Sequence, residues 1–114
     1  MNCLRNLPSY GRWQQQFEKE SVAFIGIHTP ETPSERLPEN VERKVKELKI
    51  TYPVLLDTEA ENWKRWGQAY WPTVYLLDAQ GRVRYRWLGE LEYGNAAGEA
   101  RMGSFIKRLL AEAK

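Results

Sequence analysis

An α/β fold, with helices on both faces of a central sheet, is predicted by three observations. A short continuous apolar run rich in β-branched residues at 22–27 has the composition of a buried strand, and the apolar run at 74–77 that of a second strand. Segments with apolar residues spaced three and four apart have the pattern of amphipathic helices. Taken along the chain these give helix, strand, helix, short strand, helix, hairpin, helix, an order that sets helices against a sheet.

The first helix places Leu4, Leu7, Trp13 and Phe17 on one face and leaves Arg5, Arg12, Gln14, Gln15 and Glu18 for water, with Pro8 expected to kink it. A buried strand over residues 22–27, parallel to a neighbour, then runs into His28-Thr29-Pro30-Glu31-Thr32-Pro33, where two prolines force a loop. Pro38 suits a first helical turn, and Val41, Val45 and Leu48 share a face. The pairs Glu39 with Arg43 and Glu42 with Lys46 add support along it. Residues 50–56 read as a short strand or extended connection, broken by Pro53. Thr58 and Glu61 have the form of a capping box opening a helix that carries Trp63 and Trp66 into the core and ends at Gly67.

A strand over residues 74–78 leads into an Asp78–Gly81 hairpin turn with Gly81 in the left-handed region. The second strand alternates, with Val83, Tyr85 and Trp87 on one face and Arg82, Arg84 and Arg86 on the other, so the hairpin is half buried. After a glycine-punctuated loop, Met102, Phe105, Ile106, Leu109, Leu110 and Ala113 mark the last helix.

The 114 residues, 42% hydrophobic and including five Trp, six Tyr and three Phe, suffice for one domain with its own core, residues 1–114. No repeat, linker or low-complexity tract divides it. Seventeen Lys and Arg against fifteen acids leave a formal charge of +2, mixed along the chain, which gives no ground for a nucleic-acid partner. The longest apolar run, residues 22–27, falls far short of the roughly twenty residues of a membrane span. The first residues lack the pattern of a signal peptide. One histidine and one cysteine make no credible metal site, and Gly89, Gly94, Gly98 and Gly103 match no phosphate-binding spacing, so neither metal nor cofactor is expected.

The candidate chemistry lies in Cys3, the only thiol, set where a helix begins. The positive end of a helix favours thiolate, the reactive form; the competing reading is an inert small hydrophobe near a chain end. His28 and Glu31, at a strand end, are candidates for tuning a thiolate, against a plain loop histidine bonded to nearby backbone. The arginine stripe reads as a solvent face more than a phosphate site. Of the aromatic cluster, Trp71 is the one placed at a site.

Four stretches resemble the thioredoxin-like redoxins of the TlpA type, domains that reduce, oxidise or isomerise disulfides. Asn2-Cys3-Leu4-Arg5-Asn6-Leu7-Pro8 is similar to the second half of a Cys-x-Asn-Cys motif and the Leu-Pro helix after it. Residues 22–31, VAFIGIHTPE, resemble the family's following strand and loop. Tyr70-Trp71-Pro72-Thr73 resembles its cis-proline loop, and residues 74–90 its hairpin. The resemblance implies a thioredoxin-like sandwich, a central sheet flanked by helices. It implies that one cysteine attacks a substrate disulfide and a second resolves the mixed disulfide, and that Tyr70, Trp71, Pro72 and Thr73 meet the substrate. Protein thiols or disulfides are the implied partners, and an exported bacterial domain the implied setting.

The chain also departs from that pattern. Cys3 takes the resolving position, and the attacking cysteine and the strand leading to it would stand before Met1. The expectation is therefore that the domain lacks its usual N-terminal strand, with Met1 internal to a longer redoxin or the gene truncated. The strands at residues 22–27 and 74–77 must then pair directly, find another chain, or keep open edges; a dimer through those edges or through Cys3 is one outcome. The functional expectation is thiol–disulfide oxidoreduction with Cys3 as resolving thiol. The alternative is a non-catalytic module that binds polypeptide through the Pro72 loop. A peroxidase is disfavoured because the arginine and threonine constellation its thiol needs is not found.

Overall fold

The structure is a computed structural model, and it describes residues 5–30, 33–68, 72–93 and 97–113. The chain forms two compact units, Met1–Val22 with Ala69–Lys114, and Ala23–Gln68.

In the first unit, helix α1 is Leu7–Gln16. Pro8 does not kink it. It lies in the opening turn, where a backbone N–H is not needed and the fixed φ already suits a helix. The helix ends at Phe17, whose N–H bonds to Trp13 O at 2.9 Å. Strands β3 (Thr73–Leu77) and β4 (Val83–Leu88) form an antiparallel hairpin with Val74 opposite Trp87 and Leu76 opposite Tyr85. A bulge between Leu76 and Leu77 shifts the register so that Leu77 faces Val83. This breaks the alternation expected for β4: Tyr85 and Trp87 are partly buried, whereas Val83 is 47% exposed.

Asp78 builds the turn between them. Its Oδ1 accepts the N–H groups of Gln80 and Arg82, both at 3.0 Å, and Gly81 adopts φ +80°. The Arg82 N–H, together with the Arg82 side chain, holds the Asp78 carboxyl below the usual carboxylate range despite partial burial. Arg84 reaches Asp78 and also Glu112 of helix α4 (Gly98–Glu112), the latter at 2.6 Å. Arg82 and Arg84 of the arginine stripe are thus on an exposed face and engaged in ion pairs.

Helix α4 turns Met102, Gly103, Ile106 and Leu109 inward, and Phe105 stacks on Tyr85 with ring centroids 4.0 Å apart. With Trp13, Phe17 and Leu91 these make the core of this unit. Leu91 and Met102 are fully enclosed, and each such side chain contributes roughly 1.5–3 kcal/mol by leaving water.

The second unit contains β1 (Gly26–His28), α2 (Pro38–Glu47), β2 (Val54–Leu56) and α3 (Glu61–Arg65), with a 3-10 turn over Pro33–Arg36. β1 and β2 are parallel, Ile27 opposite Leu55, as the apolar run predicts. The strand is shorter than residues 22–27 and is not buried: Ile25 is 62% and Ile27 49% exposed. Continuing the register puts Ile25 opposite Pro53, which has no N–H to give, so the ladder starts only where Gly26 N–H bonds Pro53 O at 2.8 Å. Among the described residues β1 and β2 make a two-stranded sheet.

Along α2, Val41 is buried and Leu48 is 38% exposed; Lys46 pairs with Glu42 as expected, while Arg43 turns to Glu47 and Asn40. The start of α3 differs from the expected capping box. Asp57, one residue before Thr58, accepts Asn62 N–H on Oδ1 at 3.0 Å and Trp63 N–H on Oδ2 at 2.9 Å. Thr29 donates its hydroxyl to the same Oδ2 at 2.9 Å. Burial alone would raise the Asp57 carboxyl, but the N–H donors and the Thr29 hydroxyl outweigh it and hold it below the usual carboxylate range. Gly67 ends the helix with φ +61°. Trp63 is half-buried, but Trp66 is 40% exposed rather than a core residue, because α3 is a single short turn with room for one inward aromatic.

Candidate active site

Four of the residues singled out by sequence, Cys3, Glu31, Tyr70 and Trp71, lie outside the described residues. The flanks of Cys3 and of Trp71 are described, and they belong to the same unit.

Downstream of Cys3 the chain enters a helical turn at Arg5 and Asn6 and continues into α1. Asn6 holds the N-cap position yet its side chain caps no backbone N–H of the helix. Its Oδ1 instead accepts the N–H of Leu91 at 2.9 Å, and its Nδ2 donates to the Tyr10 hydroxyl at 3.0 Å. Asn6 is 1% exposed. Arg5 reaches the Glu90 carboxylate at 3.2 Å.

Pro72 is buried, and its carbonyl accepts the N–H of Gly89 at 2.8 Å. Gly89 has φ +84°, a left-handed conformation that glycine adopts without penalty. Thr73 opens β3 opposite Leu88. The segment 89–91 therefore grips Pro72 at one end and Asn6 at the other. It is itself held by Trp87 Nε1 donating to Glu90 O at 3.1 Å and by Gly98 N–H donating to Leu91 O at 2.8 Å.

The rest of α1 is pinned through Glu99. Ser9 donates its hydroxyl to the carboxylate at 2.7 Å, Arg12 donates Nε at 2.8 Å, and Trp13 Nε1 donates to the Glu99 carbonyl at 3.2 Å. The Arg12 guanidinium, with help from Ser9, keeps the Glu99 carboxyl below its ordinary range against the effect of burial. Sequence reasoning missed Asn6, Glu90, Leu91 and Glu99, whose partners stand up to 90 residues away and leave no local pattern.

His28 belongs to the second unit. Its Nε2 lies 3.0 Å from the Glu35 carbonyl, which only accepts, so the bond requires the proton on Nε2. Among the described residues no three His, Cys, Asp or Glu side chains are grouped to hold a metal ion.

The AhpC/TSA family model matches residues 1–86, three quarters of the sequence. The chain belongs to the AhpC/TSA family. Among curated relatives, this AhpC/TSA chain is 36% identical over all of its 114 residues to Protein DipZ of Mycobacterium tuberculosis, of which it spans 16%. It is 26% identical over 89 residues to sporulation thiol-disulfide oxidoreductase A of Bacillus subtilis, covering 78% of this chain and 53% of that protein. Among solved structures, a thioredoxin-like protein in its oxidized form superposes with a TM-score of 0.78 at 20% identity, over 96% of this chain and 70% of that one. The AhpC/TSA chain thus has the thioredoxin-like fold that the resemblance implies.

Proposed function

We propose that this AhpC/TSA chain acts as one thiol–disulfide oxidoreductase domain of the TlpA type, with Cys3 in the resolving position and the Tyr70, Trp71, Pro72 and Thr73 loop as substrate contact. One observation carries the reading. The turn just downstream of Cys3 and the carbonyl of Pro72 are fastened to the same three-residue segment, 89–91. A thiol and a substrate-binding loop are useful together only if their separation is fixed, and two hydrogen bonds to one short segment tie together Asn6 and Pro72, which flank them in sequence.

The chemistry follows from the helix. The positive end of α1 favours thiolate at a residue shortly before it. In resolution, the Cys3 thiolate attacks a sulfur of a mixed disulfide, a new S–S bond forms to the attacking cysteine, and the substrate leaves as its thiolate, which takes a proton from water. The attacking cysteine implied by the resemblance, three positions before Cys3, lies outside this sequence. Within the sequence, Cys3 performs the single exchange. It attacks a protein disulfide, joins one of its sulfurs and releases the other as thiol, with no net change in redox state. The substrates are protein thiols or disulfides, and the reading assigns no step to His28 or Glu31.

Incubation with an oxidised disulfide peptide, followed by intact-mass analysis, tests this. The wild-type chain should gain one peptide adduct faster than a short unstructured cysteine peptide does, Cys3→Ser should gain none, and Pro72→Ala should slow the gain. An adduct rate no greater than that of the unstructured peptide refutes the reading.

A further inference from the structure

We infer that Asn6 is the positioning residue of the thiol site, holding the turn that follows Cys3 in register with the Pro72 loop; this rests on the functional reading above. An asparagine at an N-cap ordinarily turns its side-chain oxygen onto the N–H groups of its own helix. Here Pro8 removes one of those N–H groups, and the side-chain oxygen is turned to Leu91 while Nδ2 reaches the Tyr10 hydroxyl one turn along the helix. Both ends of the amide are used and the residue is 1% exposed, so the arrangement has no water to fall back on.

The partner explains the choice. Leu91 N–H lies two residues from Gly89 N–H, which is bound to Pro72 O. Two residues of chain reach at most about 7 Å, so a short strut of backbone ties Asn6 to Pro72. The strut cannot drift in the opposite direction, because the Cα of Gly98 is packed so closely that an added Cβ would stand 2.3 Å from Leu91 O. Removing the Asn6 amide leaves a buried Leu91 N–H without a partner. That N–H is relieved only by movement of segment 89–91 or of the first turn of α1, and either movement changes the register between the turn that follows Cys3 and Pro72.

This predicts an effect on the thiol and not only on stability. The rate of Cys3 alkylation by iodoacetamide is to be followed against pH in the full chain, at temperatures where circular dichroism shows every variant folded. Asn6→Leu removes both hydrogen bonds, and should raise the pH midpoint and slow alkylation at pH 7 by about threefold or more, since the rate follows the thiolate fraction. Tyr10→Phe removes only the acceptor of Asn6 Nδ2, keeps the ring, and should move the midpoint in the same direction by less. The double variant should be no slower than Asn6→Leu alone, because the two changes break one linkage.

A role in stability alone would lower the urea midpoint and leave the pH profile where it was. A wild-type midpoint below that of an ordinary thiol, retained unchanged by folded Asn6→Leu and Tyr10→Phe, overturns the inference and leaves the functional reading standing. If Asn6→Leu does not fold, an unshifted Tyr10→Phe overturns it by itself. An ordinary wild-type thiol that forms no mixed disulfide overturns the functional reading and this inference with it.

Discussion

Replacing Gly98 by alanine should destabilise this protein although it adds a strong helix former to a helix. Gly98 is the first residue of α4, and a Cβ there would lie 2.3 Å from Leu91 O, 2.8 Å from its Cα and 2.9 Å from its carbonyl carbon. These are backbone atoms with no rotamer to change, and ordinary contact needs about 1 Å more than the shortest of these distances. The loop must retreat, carrying the fully enclosed Leu91 side chain and straining the bonds from Gly98 N–H to Leu91 O and from Leu91 N–H to Asn6. Overpacking of this kind costs about 1–3 kcal/mol, and loss of one buried hydrogen bond adds about 1 kcal/mol, so the expected loss is roughly 2–4 kcal/mol. Gly11 is the control. It lies inside α1 with nothing within 4 Å of its added Cβ, so Gly11→Ala should gain roughly 0.5–1 kcal/mol from helix propensity alone. Urea unfolding followed by tryptophan fluorescence gives both midpoints, and an unchanged slope assigns the differences to stability. A Gly98→Ala midpoint equal to or above that of the wild type would refute the packing argument.

Two further outcomes concern the core and the caps. Met102→Ala, at a fully enclosed position, should lose about 2–5 kcal/mol in the same unfolding assay. Asp57→Ala strips α3 of its N–H acceptor and should cost about 1–2 kcal/mol at pH 7. The Asp57 carboxyl is held below its unfolded value, so on acidification the unfolded chain binds the proton first. Its contribution is complete above the ordinary aspartate range and is lost as pH falls through the depressed folded value. Wild type should therefore lose more stability than Asp57→Asn between pH 5 and 2, roughly the window of such carboxylates, with equal losses counting against the assignment. Glu99, Asp78 and Glu112, all lowered in the same direction, titrate in both proteins and cancel in the comparison.

Much of the architecture was legible because its causes are local. Pro38 at a helix start, the three-four spacing from Met102 to Leu109, and the Asp78 to Gly81 turn each carry their reason within a few residues. What was misread depended on a neighbour. The strand at residues 22–27 has the composition of a buried strand, but its length is set by Pro53 just before the partner strand. Thr58 has the residue type of a cap, but Asp57 is favoured because it also meets Thr29 across 28 residues. At the site, the motif around Cys3 and the Pro72 loop pointed to the chemistry, while the residues bracing them were invisible. An isolated Asn6 reads as a helix cap, and nothing nearby shows that its oxygen serves Leu91.

The unit that carries α1 is not continuous in sequence, and this bears on how the chain is made. Asn6 cannot meet Leu91 until 85 further residues have been synthesised, whereas the unit of residues 23–68 is one continuous stretch of sequence. At a translation rate of about 5–20 residues per second, that interval is roughly 4–17 s. A ten-residue helix is marginal without a surface to bury against. Asn6 is thus synthesised before the residue that braces it, and the turn that follows Cys3 gains its bond to Leu91 late.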